Sequence, residues 1–315
     1  MIDIGTTSIR MAIAEIGDDG GVRTLEKLSQ AVTIGKDTFT RGVIAKSSIE
    51  ECVRVLKSYR RVLAEFQITR PEQIRVVATS AVREAMNKLA FIDRIYIATG
   101  LQIESLDEAE VNRLTYLGIL PLLRAEPSLA PAKLLVTEVG GGSTEVLVLR
   151  QGNVLFSHTY RLGSLRLRET LATYEAPAVK QRQIMETHIQ KTVEQVREHV
   201  QVDGPIELVA LGGDIRLAAG QLLRDKAADG LMRLSVAALE KFTNKVLESG
   251  EDKLIRRFHL SGPDAEALGP ALLTYVKFAR ALQLDSILVT GATLRDGLVT
   301  EMAVKDSWTE EFAAQ

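Results

Sequence analysis

Cysteine is almost absent from the sequence. Cys52 is the single one among 315 residues, so no internal disulfide can form and no cysteine-based zinc site exists. That fits a reducing compartment. Histidine is scarce as well: His158, His188, His199 and His259 show no metal-ligand spacing and read as surface or core side chains. No signal-peptide pattern and no run of ~18 apolar residues is present, so the expectation is a cytoplasmic protein with no membrane segment. Charge of one sign is lacking too. Lys and Arg number 39 against 41 Asp and Glu, a net charge of −2. That argues against a general nucleic-acid or membrane-surface binder. A polyanionic ligand would need its positive field from local arginines, backbone N–H groups and a metal. No low-complexity segment or short-period repeat stands out.

What is present is ample apolar material, 46% of the residues, in a chain whose length suggests about two domains. Leu134–Leu149 reads LLVTEVGGGSTEVLVL. β-Branched runs flank Gly140, Gly141 and Gly142, then Ser143, Thr144 and Glu145, which reads as a β-hairpin. Three successive glycines leave the backbone uncrowded, and its N–H groups could wrap an anionic oxygen. Glu138 and Glu145 would sit at the mouth of the turn. A glycine-rich surface turn without a ligand fits the same residues. The chain also opens on a second copy of the design: MIDIGTTSIRMAIAEI, with Asp3, then Gly5, Thr6, Thr7 and Ser8, then a strand-like run. Two such turns suggest a duplicated fold with a ligand held between its halves.

Between and beyond these turns the periodicity alternates helix and strand. Gly17–Gly21 and Gly35–Gly42 look like turns. Ser48–Phe66 reads as an amphipathic helix with a capping-box start, and Cys52 lies on its apolar stripe. Ile74–Ala78 is a short strand running into Thr79, Ser80 and a helix carrying Arg83. The hydroxyls there cap a helix or face a phosphate. Acidic residues Asp107, Glu108 and Glu110 open the next helix. Pro121, Pro127 and Pro131 form the clearest linker, giving an N-terminal domain over 1–122, joined by a returning helix over 296–315, and a second domain over 123–295. Arg161, Arg166 and Arg168 flank Gly163 and Ser164. A long helix spans Ala176–Val200. The strand Ile206–Leu211 ends at Gly212–Gly213 and Asp214, a close ligand approach or a packing turn. Helices over Ser235–Leu247 and Asp264–Leu282, a strand over Ser286–Thr290 and a final helix through Arg295 and Asp296 follow. The tail Ser307–Gln315 is expected to be partly ordered at most.

Taken in order, these motifs resemble the exopolyphosphatase/guanosine-pentaphosphate phosphohydrolase family, within the actin-like, sugar-kinase and heat-shock ATPase superfamily. IDIGTTSIRM and TEVGGGSTE resemble its two phosphate loops, and ATSAVREAMN its arginine-bearing strand–helix motif. EVNRLTYLGIL resembles its acidic helix, and LGSLRL, LGGDIRLAA and TLRDGLV its later signatures. The resemblance implies an α/β fold of two ribonuclease-H-like domains, mixed sheets flanked by helices, with a ligand cleft between them. It implies hydrolysis that releases terminal phosphate from polyphosphate or guanosine pentaphosphate, with Mg²⁺ or another divalent cation. Asp3, Glu138 and Glu145 would hold the metal directly or through water. Gly5–Ser8 and Gly140–Thr144 would cradle phosphate oxygens, and Arg83 would pair with one. The short chain resembles the two-domain members. A homodimer is a further expectation.

Three departures bear on mechanism. Glu138 stands where the family usually has Asp. Asp214 stands where it often has Thr. The paired glutamates of the acidic helix are here Glu110 and Val111, leaving Glu110 and Glu145 as the candidate catalytic carboxylates. One residue along a helix is a rotation of about 100°, so Glu110 need not point where its neighbour would. Val111 and Asp214 also fit a protein that binds polyphosphate or guanosine tetra- and pentaphosphate without cleaving it efficiently. Gly212–Gly213 leaves room for a kinase of the acetate- or sugar-kinase type.

Overall fold

A computed structural model describes residues 1–17, 21–173, 178–200, 204–223 and 230–313. The chain divides into two units, Met1–Ile119 with Thr293–Gln315, and Leu120–Ala292. Each is built on one mixed sheet flanked by helices.

In unit 1 the strands are β1 (Ile2–Ile4), β2 (Ser8–Ile16), β3 (Val22–Ala31), β4 (Val76–Ala78) and β5 (Ile103–Ser105). They lie in the order β3-β2-β1-β4-β5. β1 and β2 pair antiparallel, with Asp3 opposite Arg10, and β1 and β4 pair parallel through Ile4 and Ala78. Strand alternation sends Ile2, Ile4, Ile9 and Met11 to one face. There they pack with Ile34, Leu56, Phe91 and Ile95 from α1 (Ile34–Arg41), α2 (Lys46–Glu65) and α4 (Lys88–Thr99). A short α3 (Ser80–Glu84) precedes α4. Met1, Ala12 and Val77 face the other way and pack with Val111 and Leu114 of α5 (Glu108–Ala125) and with Leu294 and Leu298 of the last helix. Burying each such aliphatic side chain contributes roughly 1.5–3 kcal/mol.

Unit 2 repeats the plan with one extra edge strand. Its strands are β6 (Lys133–Val139), β7 (Thr144–Arg150), β8 (Asn153–Tyr160), β9 (Ile206–Leu211), β10 (Met232–Ser235) and β11 (Ser286–Val289), in the order β10-β11-β9-β6-β7-β8. Its helices are α6 (Ser164–Thr173), α7 (Ala178–His199), α8 (Gly213–Leu222), α9 (Val236–Leu247), α10 (Glu251–Phe258) and α11 (Gly262–Ala281). Leu135, Val139, Val146 and Val148 meet Tyr275, Leu268, Leu272 and Phe278 of α11 in the main core. The chain then returns to unit 1 as α12 (Leu294–Ala313).

Several local expectations change. Gly35–Gly42 is not a turn but α1, closed by Gly42 in the left-handed region (φ 74°), whose N–H reaches Thr38 O. α2 starts at Lys46 rather than Ser48. Asp37 Oδ2 accepts from Ala45 N–H at 3.0 Å, so the entry is held from α1 rather than by a serine cap. Pro121 lies inside α5. The backbone of α12 continues helical through Ala313, beyond the expected fraying point. Residues 176 and 177 of the expected long helix lie outside the described residues. No helix among the described residues is long and apolar enough to cross a membrane.

Candidate active site

The Gly140–Thr144 turn is held from one side. Ser164 N–H and Oγ donate to Gly140 O at 2.9 and 3.3 Å, Arg166 N–H to Gly141 O at 2.9 Å, and Arg166 Nε to Gly142 O at 2.7 Å. All three carbonyls therefore face the first turn of α6. No peptide bond among the described residues is cis, and in a trans peptide the N–H points opposite to the preceding C=O. The N–H groups of Gly141, Gly142 and Ser143 thus point away from α6. Among the described residues no backbone bond uses them. Three adjacent amides directed outward have the geometry of a nest, a backbone shape that can bind an anion. A Cβ on Gly163 would overlap the backbone of Gly141 and Gly142, so only glycine allows α6 to come this close.

Beside the nest, Glu138 and Glu145 are directly opposed across β6 and β7. Opposed residues have Cβ atoms about 5 Å apart, and like charges there are destabilising unless compensated. Glu145 is buried, and its Oε1 accepts from Ser143 Oγ at 2.5 Å. No group of three or more His, Cys, Asp or Glu side chains that could hold a metal comes together among the described residues. Mg²⁺ commonly takes one or two carboxylates and completes its shell with water and substrate phosphate. The donor set fits that ion.

The Gly5–Ser8 turn has the same frame. Gly5 N–H donates to Ser8 O at 3.0 Å, as Gly140 N–H does to Ser143 O at 2.9 Å. Gly35 N–H takes Thr6 O and Val32 N–H takes Thr7 O, which turns the N–H groups of Thr7 and Ser8 the other way. Ser8 Oγ is buried with no hydrogen-bond partner among the described residues. Thr6 Oγ1 lies 3.4 Å from Ser80 Oγ, so the turn and the strand–helix motif meet.

The charges around this first turn differ. Asp3 is opposite Arg10, and its Oδ2 accepts from Arg295 Nη1 at 3.2 Å. A metal at Asp3 would compete with that guanidinium. Arg295 is delivered by the crossing of α12 over α5, where a Cβ on Gly118 would come 2.5 Å from Thr293 O and one on Gly297 would overlap Leu114 O. Sequence reading had not singled out Arg295 as an Asp3 partner. The signal available was a glycine in each helix.

Arg83 Nη1 donates to Leu106 O at 3.1 Å, and Glu108 lies 3.9 Å from its other nitrogen. Glu110 is engaged by Arg113 at 2.7 Å through both oxygens. Glu301 joins the same network, accepting from Arg113 Nη2 at 2.5 Å and from Arg75 Nη1. The Arg113 hydrogen bonds outweigh burial and hold the Glu110 carboxyl below its ordinary value, a poor setting for a proton acceptor. Val111 is buried against Leu106, Leu114 and Leu298. Burial pushes the Cys52 thiol up to about 12, so it is an inert core residue.

A family model described as Ppx/GppA phosphatase matches residues 12–306. The chain belongs to the Ppx/GppA phosphatase family. It is a hydrolase of this family, and the binding-only and kinase alternatives find no support in the matches. Members generally depend on a divalent cation. The chain is 24% identical over 318 residues to Exopolyphosphatase 2 of Mycobacterium tuberculosis, covering 96% of this chain and 97% of that one. It is similar to the crystal structure of the Aquifex aeolicus Ppx/GppA member (25% identity, TM-score 0.73, 97% of each chain). It is also similar to an exopolyphosphatase from Cytophaga hutchinsonii (21% identity, TM-score 0.84, 96% and 97% covered), a likeness of fold. The two mixed sheets are those of the family's actin-like fold.

Proposed function

We propose that the protein releases terminal phosphate from inorganic polyphosphate, with guanosine pentaphosphate as a second substrate of the same linkage. The observation that carries this reading is the Gly141–Ser143 nest beside the opposed carboxylates Glu138 and Glu145. Amides directed at one point bind phosphate oxygens without reorganising as charge shifts in the transition state. Glu138 and Glu145 would hold Mg²⁺, which when bound neutralises charge on the phosphate oxygens. In unit 1 the hydroxyls of Thr6, Thr7 and Ser8 and the guanidinium of Arg83 are proposed phosphate ligands in their own right. A water attacks the terminal phosphorus in line, the bridging P–O bond breaks, and orthophosphate leaves with the chain one unit shorter. Glu145, fixed by Ser143 Oγ, orients that water. Asp3 acts through Arg295, and Glu110 serves the ion-pair network. The buried single cysteine suits a reducing, cytoplasmic setting.

The substrate reading of Exopolyphosphatase 2, matched over nearly the whole chain, supports polyphosphate. The test is phosphate release from long-chain polyphosphate and from guanosine pentaphosphate with Mg²⁺. Glu145→Ala should lower the rate at least ~100-fold, the scale of losing a positioned catalytic group. Equal rates in the two proteins would reject the site.

A further inference from the structure

The first bond inside α6 runs from Leu167 N–H to Gly163 O at 2.8 Å. The N–H groups of Ser164, Leu165 and Arg166 therefore have no partner within the helix. Two of them are used on the glycine turn, Ser164 N–H on Gly140 O and Arg166 N–H on Gly141 O, each at 2.9 Å. The next carbonyl, Gly142 O, is taken by a charged group instead, Arg166 Nε at 2.7 Å. That distance is typical of a charge-assisted bond. Arg166 thus closes two adjacent carbonyls, one with its backbone and one with its guanidinium. Unit 1 meets the same need without charge. Thr6 O accepts from Gly35 N–H at 3.0 Å and Thr7 O from Val32 N–H at 2.9 Å, and both donors are neutral backbone amides.

The C=O and N–H of one peptide belong to a single conjugated group. A donor on the oxygen draws electron density from the nitrogen, and the N–H at the far end becomes a stronger donor. Gly140 O, Gly141 O and Gly142 O share their peptides with the N–H groups of Gly141, Gly142 and Ser143. Those are the three amides that point away from α6. Each is backed by a bond on its own carbonyl, and the Ser143 amide is backed by a full positive charge. The turn itself, Gly140 to Thr144, contains no cationic side chain, and Glu138 and Glu145 beside it are acids. Arg166 brings positive charge to this turn from behind.

We propose that Arg166 is a positioning residue of the phosphate turn that acts through the Gly142–Ser143 peptide: its guanidinium holds and polarises that peptide, so that the Ser143 amide binds a phosphate oxygen more strongly. This rests on the reading of Gly140–Thr144 as a phosphate-binding turn. The charge is felt by the ligand through the backbone, without contact between guanidinium and phosphate. A neutral donor at the same carbonyl would hold the turn in place and lose the polarisation.

The test is calorimetric titration of inorganic phosphate, with Mg²⁺ present, into wild type, Arg166→Gln and Arg166→Lys. A glutamine amide nitrogen is as many bonds from Cα as arginine Nε, so Arg166→Gln keeps a donor within reach of Gly142 O and removes the charge. Arg166→Lys keeps the charge and gives up the planar fork. Arg166→Gln should bind phosphate at least ~3-fold more weakly than wild type, since a charge-assisted bond is roughly twice as strong as a neutral one. Arg166→Lys should bind more tightly than Arg166→Gln, and kcat/KM for polyphosphate should follow the same order. Binding by Arg166→Gln that is within ~3-fold of wild type, or no weaker than that of Arg166→Lys, overturns the proposal, because a neutral tether then does all that the guanidinium does. Should wild type bind no phosphate, the reading of the turn as a phosphate site fails on its own. The polarisation is then judged in the ligand-free protein by the Ser143 amide proton resonance, which should lie further upfield in Arg166→Gln than in Arg166→Lys. A position no further upfield refutes it.

Discussion

The two glycine turns share a backbone and differ in charge. Both close with a glycine N–H on the carbonyl of a serine three residues later, and both have carbonyls tied down by the segment after the third strand of their sheet. At the matching strand positions, however, unit 1 pairs Asp3 with Arg10, and Arg295 also binds Asp3. Unit 2 opposes Glu138 to Glu145. The first turn places an acid opposite a base, whereas the second places two acids opposite each other. Backbone duplication alone would make the turns equivalent. The side chains differ, with hydroxyls and an arginine-bound acid at one turn and outward amides beside two opposed glutamates at the other.

The sharpest way to break this comparison is at the close contact peculiar to unit 2. Gly163→Ala would drive a methyl group into the backbone of Gly141 and Gly142. The counterpart in unit 1, by alignment of the two hairpins, is Thr33, which already carries a side chain. Gly163→Ala should cost about 3 kcal/mol, the upper end for overpacking, and abolish phosphate release, whereas Thr33→Ala should leave activity within a few fold. Urea midpoints and phosphate release measure both.

A smaller effect distinguishes the carboxylates. Asp3→Asn leaves the largely buried Arg295 guanidinium without its acid and should destabilise by about 1–3 kcal/mol. Glu138→Gln removes one of two opposed like charges and should stay within about 1 kcal/mol of wild type in metal-free buffer. Thermal unfolding in chelator resolves the two.

The smallest effect concerns the seat of α12, which has no counterpart in unit 2. Burial works to raise the Glu301 carboxyl, and hydrogen bonds from Arg75 and Arg113 outweigh it, so its value lies below the ordinary 4.5. A carboxyl with a lowered folded-state pKa adds stability that is complete above the unfolded value and is lost as pH falls through the folded one. Glu301→Gln should therefore lower stability by about 1–2 kcal/mol near pH 7. The difference from wild type should shrink as pH drops below about 4.5. Melting curves from pH 3 to 7 would show it.

Much of this was legible before any coordinates. The LLVTEVGGGSTEVLVL hairpin, its N-terminal copy and the strand ending at Gly212 were readable because apolar alternation and glycine runs act locally. What escaped depended on distant partners. The α2 start was misplaced because Asp37, nine residues before α2, supplies the cap for Ala45. The α1 segment looked like a turn because its glycines sit at the helix ends, where they permit rather than prevent a helix. Glu110 is a candidate by sequence order, and what the sequence could not show is its engagement by Arg113 and Arg75. Tyr275 carried no local signal at all. A tyrosine in the middle of an apolar helix reads as core, and only the fold shows its hydroxyl bonded to Val139 N–H and Leu211 O.

The central claim is that the cation belongs to the Glu138–Glu145 pair and not to Asp3. Calorimetric titration of Mg²⁺, in the presence of inorganic phosphate, into wild type, Asp3→Asn, Glu138→Gln and Glu145→Gln tests it most directly. Binding in wild type and Asp3→Asn, with a loss of at least tenfold in affinity in both glutamate variants, is the expected result. Binding that survives in Glu138→Gln and Glu145→Gln but vanishes in Asp3→Asn would contradict it.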